Sequence, residues 1–112
     1  MVGAGVAALY AQSNAPYYEI VEINVKDVDA YKRAMSESLP MIKEHGGTYV
    51  AGGFEKAKSR IGSPVSNRYV VIRYPNKEAA DKLYDEGLKA WMDKNAAIAD
   101  FRIIGVEGVE AK

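Results

Sequence analysis

The sequence contains no cysteine and only one histidine among its 112 residues. The absence of cysteine excludes disulfide bonds, thiolate nucleophiles and cysteine-ligated metal sites. A single imidazole would have to serve every role in a histidine-built metal site or a Ser-His-Asp triad, so we expect neither. The Gly52-Gly53 pair is not a phosphate-binding loop, because no Lys-Ser or Lys-Thr pair comes directly after the second glycine and no helix begins there. We therefore expect no metal and no cofactor.

The chain also lacks net charge, since fifteen basic residues balance fifteen acidic ones. Proteins that bind nucleic acid carry an excess of basic residues, often interleaved with aromatic ones in single-strand binders. Neither feature occurs here, so we expect no nucleic-acid partner. The apolar run at residues 2–9 is far shorter than the roughly 20 residues that cross a bilayer, so we expect no stable membrane insertion.

Residues 1–16 differ in composition from the rest and are predicted to be a separate segment preceding a single domain at 17–112. One interpretation is the end of a secretory signal, with Leu9-Tyr10-Ala11 as an imperfect cleavage site and a periplasmic or secreted mature protein. The other is an apolar arm that packs on the domain or on a partner subunit, which leaves a cytoplasmic location open.

Hydrophobic periodicity predicts two strand-helix-strand units in the domain. Asp27 is a suitable N-cap for a first helix that reaches about His45, with a kink or break at Pro40 and Gly46-Gly47 as the stop. Asn76 caps a second helix that is interrupted near Gly87 and resumes toward Ala97. The predicted strands are residues 17–25, 48–57, 68–74 and 101–107, and Gly52-Gly53 marks a bulge or a close backbone approach in the second of them.

This order predicts an α+β, ferredoxin-like βαββαβ fold with strand order 4-1-3-2 and both helices on one face of an antiparallel sheet. The opposite face is then uncovered, and a soluble monomer rarely exposes such an apolar patch. We expect a homodimer in which two sheets face each other, as in dimeric α/β barrels. The patch comprises Tyr18, Ile20, Tyr69 and Val71.

Several short motifs, in their order and spacing, give most of the chain a family likeness. They are Tyr18-x-x-x-Glu22-Ile23-Asn24-Val25, Asp27-x-x-Ala30-Tyr31, Gly46-Gly47, Gly52-Gly53, Arg68-x-Val70-Val71-Ile72, Asn76-x-Glu78-Ala79-Ala80 with Tyr84-Asp85, and Val106-Glu107-Gly108. The sequence resembles the family named domain of unknown function 1330, a branch of the dimeric α/β-barrel superfamily. The resemblance implies the fold and the dimer but brings no established reaction. Glu86-Gly87-Leu88-Lys89 departs from the family pattern, in which a serine and a later Glu-Tyr pair are usual.

Glu22 is the first candidate site residue, because it lies on the mixed face of the first strand with Tyr18, Ile20 and Asn24. A carboxylate there is tolerable only beside water, a cavity or a charge partner. It is either a general base or polar anchor for a ligand in the dimer interior, or half of a structural pair with Arg73. In the first case Tyr18 and Arg73 are also ligand-binding candidates.

Three further residues are candidates, each with a structural alternative. His45 is a second catalytic candidate, although a cation at a helix C-terminus is already stabilised by the helix dipole. Arg68 is positioned either to hold a substrate carboxylate or as a solvated strand end. Trp91 either lines a ligand pocket or belongs to the core.

The sequence leaves two kinds of function open. One is a small dimer that binds a small molecule or serves a structural role without chemistry. The other is a cofactor-free enzyme, an oxygenase or isomerase acting on a small organic substrate inside the barrel. Fold alone does not decide between them, because one fold hosts many functions.

Overall fold

The computed structural model describes residues 15–109. In chain order these form β1 (Tyr17–Val25), α1 (Val28–Glu44), β2 (Thr48–Phe54), β3 (Arg68–Tyr74), α2 (Lys77–Leu83), a π-helical turn (Tyr84–Leu88), α3 (Lys89–Lys94) and β4 (Ala99–Glu107). The α+β, ferredoxin-like class is confirmed. Both interpretations of the N-terminal segment concern residues that lie, except for 15 and 16, outside the described part of the chain.

The four strands form one antiparallel sheet of order β2-β3-β1-β4, which is the predicted order. β1 lies in the centre, with Ile20 opposite Val71 of β3 and Ile104 of β4. Residues directly opposite one another in such a sheet project to the same face. This register therefore determines which side chains meet on each face.

The helices cover the face on which Val21 and Ile23 project, since alternate residues of β1 are buried there. This face and the helices enclose the core. Its buried apolar residues are Val21, Ile23, Val25, Tyr31, Ile42, Val70, Ile72, Tyr74, Ala80, Leu83, Leu88, Trp91 and Ala99.

Helix α1 begins as predicted, because the Asp27 carboxylate accepts a hydrogen bond from the Ala30 amide at 3.0 Å. Of the kink or break predicted at Pro40, the break is wrong, since the helix continues to Glu44. Pro40 lies on the exposed side of the helix, where water can replace the hydrogen bond that proline removes. On the same helix the apolar Leu39 is exposed while the polar Ser38 is buried.

The predicted interruption near Gly87 is a five-residue π-helical turn, not a gap between helices. A Cβ at Gly87 would lie 3.2 Å from the Met41 sulfur, so glycine lets this turn approach α1 closely. π-Helical turns inside α-helices occur frequently at functional sites.

Strand β2 ends at Phe54 instead of continuing to Ala57, because Glu55 takes a positive φ of 57°. Its register shift falls between Tyr49 and Ala51, just before the glycine pair. The close backbone approach is confirmed at Gly52, where a Cβ would collide with the Tyr69 carbonyl.

Candidate functional site

A carboxylate lies on the helix-facing side of the sheet, where an apolar side chain would be ordinary. Glu19 has the same parity along β1 as Val21 and Ile23, and it lies opposite Ile72 of β3 and Gly105 of β4. Its position is therefore beneath the helices and not on the open face that carries Glu22.

Glu19 contributes to a groove between β4 on one side and the π-helical turn and α3 on the other. The groove has a volume of about 410 Å³ and is open to solvent. Its lining is Glu19, Tyr84, Met92, Phe101, Ile103 and Gly105. Gly105 lies directly opposite Glu19, and the Tyr17 side chain packs over it, with its hydroxyl in the space that a Cβ at Gly105 would occupy.

A smaller, more enclosed cavity adjoins the groove and extends into the core. Its volume of about 30 Å³ holds only one or two water molecules. Glu19, Met92, Phe101 and Ile103 line both spaces. The groove and the cavity are therefore neighbouring parts of one space, with Glu19 at their junction.

Burial is the main influence on Glu19 and raises the pKa of its carboxyl group above the ordinary value. The nearby Tyr74 hydroxyl lowers this pKa in part, while the charge of Asp81 raises it further. A carboxyl group in this environment exchanges its proton at a higher pH than an exposed glutamate does. It is thus suited both to hydrogen bonding with a ligand and to proton transfer.

Tyr74 is the partner of Glu19 on the inner side. Its side chain is fully buried, and no hydrogen bond of good geometry reaches its hydroxyl among the described residues. Burial raises the pKa of the Tyr74 hydroxyl, and the Glu19 charge acts in the same direction. The phenol therefore stays neutral and remains a donor at physiological pH.

Arg68 is not the solvated strand end that was one of its two predicted roles. It shares the helix-facing parity of Val70 and Ile72 and is only 5% exposed. Its guanidinium carbon lies 4.8 Å from the Phe54 ring centre and 5.8 Å from that of Tyr31. The alternative, that Arg68 holds a carboxylate, stays a prediction.

Trp91 is buried and lines the enclosed cavity. Its indole N–H donates to the Ala34 carbonyl at 2.9 Å. The ring makes edge contacts with Tyr31 and Phe101, with centroid distances of 5.9 Å and 5.6 Å. It therefore combines the core role predicted for it with a position on the cavity wall.

The predicted pair between Glu22 and Arg73 is wrong. Glu22 lies opposite Tyr69, whereas Arg73 lies opposite Tyr18, four residues further along the strand. That offset is about 13 Å, at about 3.3 Å per residue, which is beyond the reach of an ion pair. Arg73 is exposed.

Glu22 instead uses two other partners on the open face. One carboxylate oxygen accepts the Ser66 amide at 3.0 Å, and the other lies 3.7 Å from a guanidinium nitrogen of Arg102. Its side chain is 24% exposed, so the Arg102 contact is partly screened by solvent. Tyr18 and Glu22 both lie on this open face, away from the groove.

His45 also lies outside the groove lining. Its Nδ1 is 2.8 Å from the Met41 carbonyl oxygen, and its Nε2 is 3.2 Å from a carboxylate oxygen of Glu86. The hydrogen bond to Met41 and the Glu86 carboxylate raise the pKa of the imidazole. This geometry links the end of α1 to the π-helical turn, and the catalytic role considered for His45 stays a prediction.

Sequence reasoning missed three residues of this region, namely Glu19, Tyr31 and Tyr49. Strand alternation was the signal that could have found Glu19, because residues 19, 21 and 23 of one strand project to the same face. The sequence gave no sign that Tyr31 of α1 lines a cavity. Tyr49 gave no usable signal before the sheet register was known.

Residues 15–109 show no metal site of the usual kind. This part of the chain holds no group of three or more His, Cys, Asp or Glu side chains arranged to bind a metal ion. None of the helices within it has the length and apolar composition needed to cross a membrane.

The sequence profile of one family, described as domain of unknown function (DUF1330), matches residues 16–109. The chain belongs to this family. No curated protein matches the sequence.

Solved structures show the same fold at low sequence identity. A protein of unknown function from Rhodopseudomonas palustris superposes with a TM-score of 0.67 at 17% identity, covering 93% of this chain and 94% of that one. A hypothetical Arabidopsis thaliana protein gives 0.61 at 10% identity, covering 87% and 91%. A Bacteroides thetaiotaomicron protein of unknown function, described as a possible oxidoreductase, gives 0.54 at 17% identity, covering 84% and 98%.

Proposed function

We propose that this member of the family binds a small, largely apolar organic molecule in the groove beneath the helices, with Glu19 contacting its polar group. The observation that carries the proposal is a carboxylate on the floor of an otherwise mostly apolar groove of about 410 Å³. Ligand sites typically have volumes of roughly 300–1,000 Å³, apolar walls and a few placed polar groups. This proposal moves the site from the open face, where Glu22 was the candidate, to the helix-facing side.

The groove also has features that favour one class of ligand over non-specific binding of apolar molecules. Glu19 supplies the carboxylate in a lining whose other side chains are aromatic or apolar, so it would orient a molecule with one polar end. The apolar part of the ligand would point towards the adjoining cavity, because the aromatic rings of Trp91, Tyr31 and Phe101 form part of its wall. A hydroxyl or carbonyl near Glu19 and an apolar body towards Trp91 fit this arrangement.

The test is native mass spectrometry of protein purified from its own source without unfolding. We expect the wild type to retain a small molecule, and Met92→Trp, which fills the groove, to lose it. Ala90→Trp is the matched control, because it adds the same side chain at an exposed position of α3. Retention by Met92→Trp, or an empty wild type, would contradict binding in the groove.

A second candidate function is a cofactor-free enzyme of the isomerase type, with Glu19 as the general base. The raised pKa of Glu19 favours it, since a base titrating nearer to neutral pH transfers protons more effectively. The retained molecule discriminates the two functions. Chemical change on incubation with fresh wild-type protein, absent with Glu19→Gln, would support catalysis, and recovery unchanged would support binding alone.

We also propose a homodimer through the open face of the sheet. Ile104 and Val106 of β4 are 40% and 43% exposed in the isolated chain and continue the apolar patch predicted from Tyr18, Ile20, Tyr69 and Val71. Val71→Asp should give monomers in sedimentation, while Ala90→Asp on exposed α3 should leave the assembly unchanged. A dimer that survives Val71→Asp would contradict this interface.

A further inference from the structure

Within residues 15–109, Arg68 has no carboxylate to pair with its charge and no partner for one of its hydrogen-bond donors. Its Nε is buried and has no hydrogen-bond partner, and no carboxylate among residues 15–109 lies within ion-pair distance of it. Its guanidinium lies over the faces of Phe54 and Tyr31, and its other contacts are the hydroxyl groups of Tyr31 and Tyr49. Rings of this kind attract a cation but do not accept its N–H groups in the way an oxygen does.

A buried charge in this state is unfavourable, because loss of hydration is offset only when the group is paired and its hydrogen bonds are satisfied. The cation–π contacts offset part of this loss. Glu19 does not offset the rest, because its carboxylate does not lie within ion-pair distance of the guanidinium and Arg68 does not influence its pKa. An oxyanion is the ligand that would complete the environment of the guanidinium.

Two phenols lie beside Arg68 and line the enclosed cavity. They are Tyr31 of α1, which is buried, and Tyr49 of β2, which is 39% exposed in the isolated chain. Burial raises the pKa of both hydroxyls, that of Tyr31 to about 12, although the Arg68 charge acts in the opposite direction. Neither phenol therefore neutralises Arg68 at physiological pH, and both remain hydrogen-bond donors.

We propose that Arg68, Tyr31 and Tyr49 form a binding site for the carboxylate of an aryl or arylalkyl carboxylic acid. The inference rests on the proposed function and extends it: the apolar body of the ligand lies between Trp91 and Phe101, its outer end contacts Glu19 in the groove, and the carboxylate lies at its inner end beside Arg68. Tyr31 contacts Phe101, with ring centres 6.3 Å apart, and Phe101 lines the groove. The enclosed cavity of about 30 Å³ is smaller than such an acid, so binding requires the aromatic side chains around it to move apart.

The probes are benzoate, phenylacetate and 3-phenylpropionate, each compared with its uncharged amide of nearly the same shape. Thermal unfolding and Trp91 fluorescence are followed in the wild type, Arg68→Met and Arg73→Met. Arg73 is the matched control because it is an exposed arginine on the opposite face of the same strand. We expect at least one carboxylate to raise the unfolding temperature of the wild type and of Arg73→Met, and to bind Arg68→Met about tenfold more weakly or worse.

The amides separate this inference from the proposed function. A carboxylate that binds wild type and Arg68→Met equally, or an amide that binds the wild type as well as its acid, would overturn the oxyanion site while leaving groove binding intact. Absence of any carboxylate-dependent shift in the wild type would overturn it as well. Failure of groove binding itself would appear separately, as wild-type protein that carries no molecule in native mass spectrometry.

Without ligand, Arg68→Met provides a second readout. An arginine retained for a ligand should leave the free protein no less stable when it is replaced by an apolar side chain of similar length. A large fall in unfolding temperature in Arg68→Met, beyond that of Arg73→Met, would instead assign Arg68 a structural role and overturn the inference.

Discussion

Replacing Trp91 by leucine tests whether the cavity wall is also part of the core. The change removes the hydrogen bond from the indole to the Ala34 carbonyl, a loss of about 1 kcal/mol. It also removes the edge contacts with Tyr31 and Phe101, at about 1 kcal/mol each. The sum is about 3 kcal/mol, within the range of about 3–5 kcal/mol for truncation of large buried aromatic residues.

Urea and thermal unfolding monitored by circular dichroism measure this loss, since the variant has no tryptophan left to fluoresce. For a domain of this size the expected fall in unfolding temperature is more than about 10 °C. Tyr84→Leu is the control, because Tyr84 is 39% exposed and lines only the outer groove. A destabilisation of Trp91→Leu no larger than that of Tyr84→Leu would refute the packing described for this wall.

Three further predictions concern titration and backbone geometry. Folding raises the pKa of Glu19, so the free energy of unfolding of the wild type should fall as pH rises from about 4.5 through the folded pKa. Urea unfolding at several pH values should show this loss in the wild type and not in Glu19→Gln. A urea midpoint of Glu19→Gln below that of the wild type at neutral pH would contradict the prediction. The pKa of His45 is also raised, so its contribution to stability should be complete below about pH 6.5 and should be lost, by less than about 1 kcal/mol, as pH rises through the folded pKa. NMR titration of this sole imidazole should show a folded pKa above that of a peptide containing His45. An unshifted pKa would exclude the contacts with Met41 and Glu86. Gly52→Ala should lower the unfolding temperature clearly more than Gly62→Ala does. Both glycines have φ near +100°, but a Cβ would collide with backbone atoms only at Gly52. Equal losses would show that the backbone around Gly52 moves to accommodate the Cβ.

The fold could be predicted because its signals are local and consistent with one another. Strand alternation placed β1 and β3 at their observed bounds, and capping at Asp27 and Asn76 fixed where the helices begin. The errors have local causes too. Pro40 is tolerated on an exposed helix side, and Glu55 ends β2 by taking a positive φ that glycine more often adopts.

The candidate site was harder to predict because it depends on sheet register. Alternation shows that Glu22 and Arg73 share a face, but only the pairing of β1 with β3 shows that they lie four residues apart. The same sheet brings Arg102 of β4 beside Glu22. Glu19 was accessible to alternation alone, but Glu22, a carboxylate amid aromatic and apolar neighbours, pointed to the opposite face.

A crystal structure of the protein purified from its own source without unfolding tests groove binding most directly. We expect density for a small organic molecule between Met92 and Ile103, with a polar atom within hydrogen-bond distance of the Glu19 carboxylate. A groove containing only water, with the molecule bound instead on the open face beside Glu22, would contradict the proposed function.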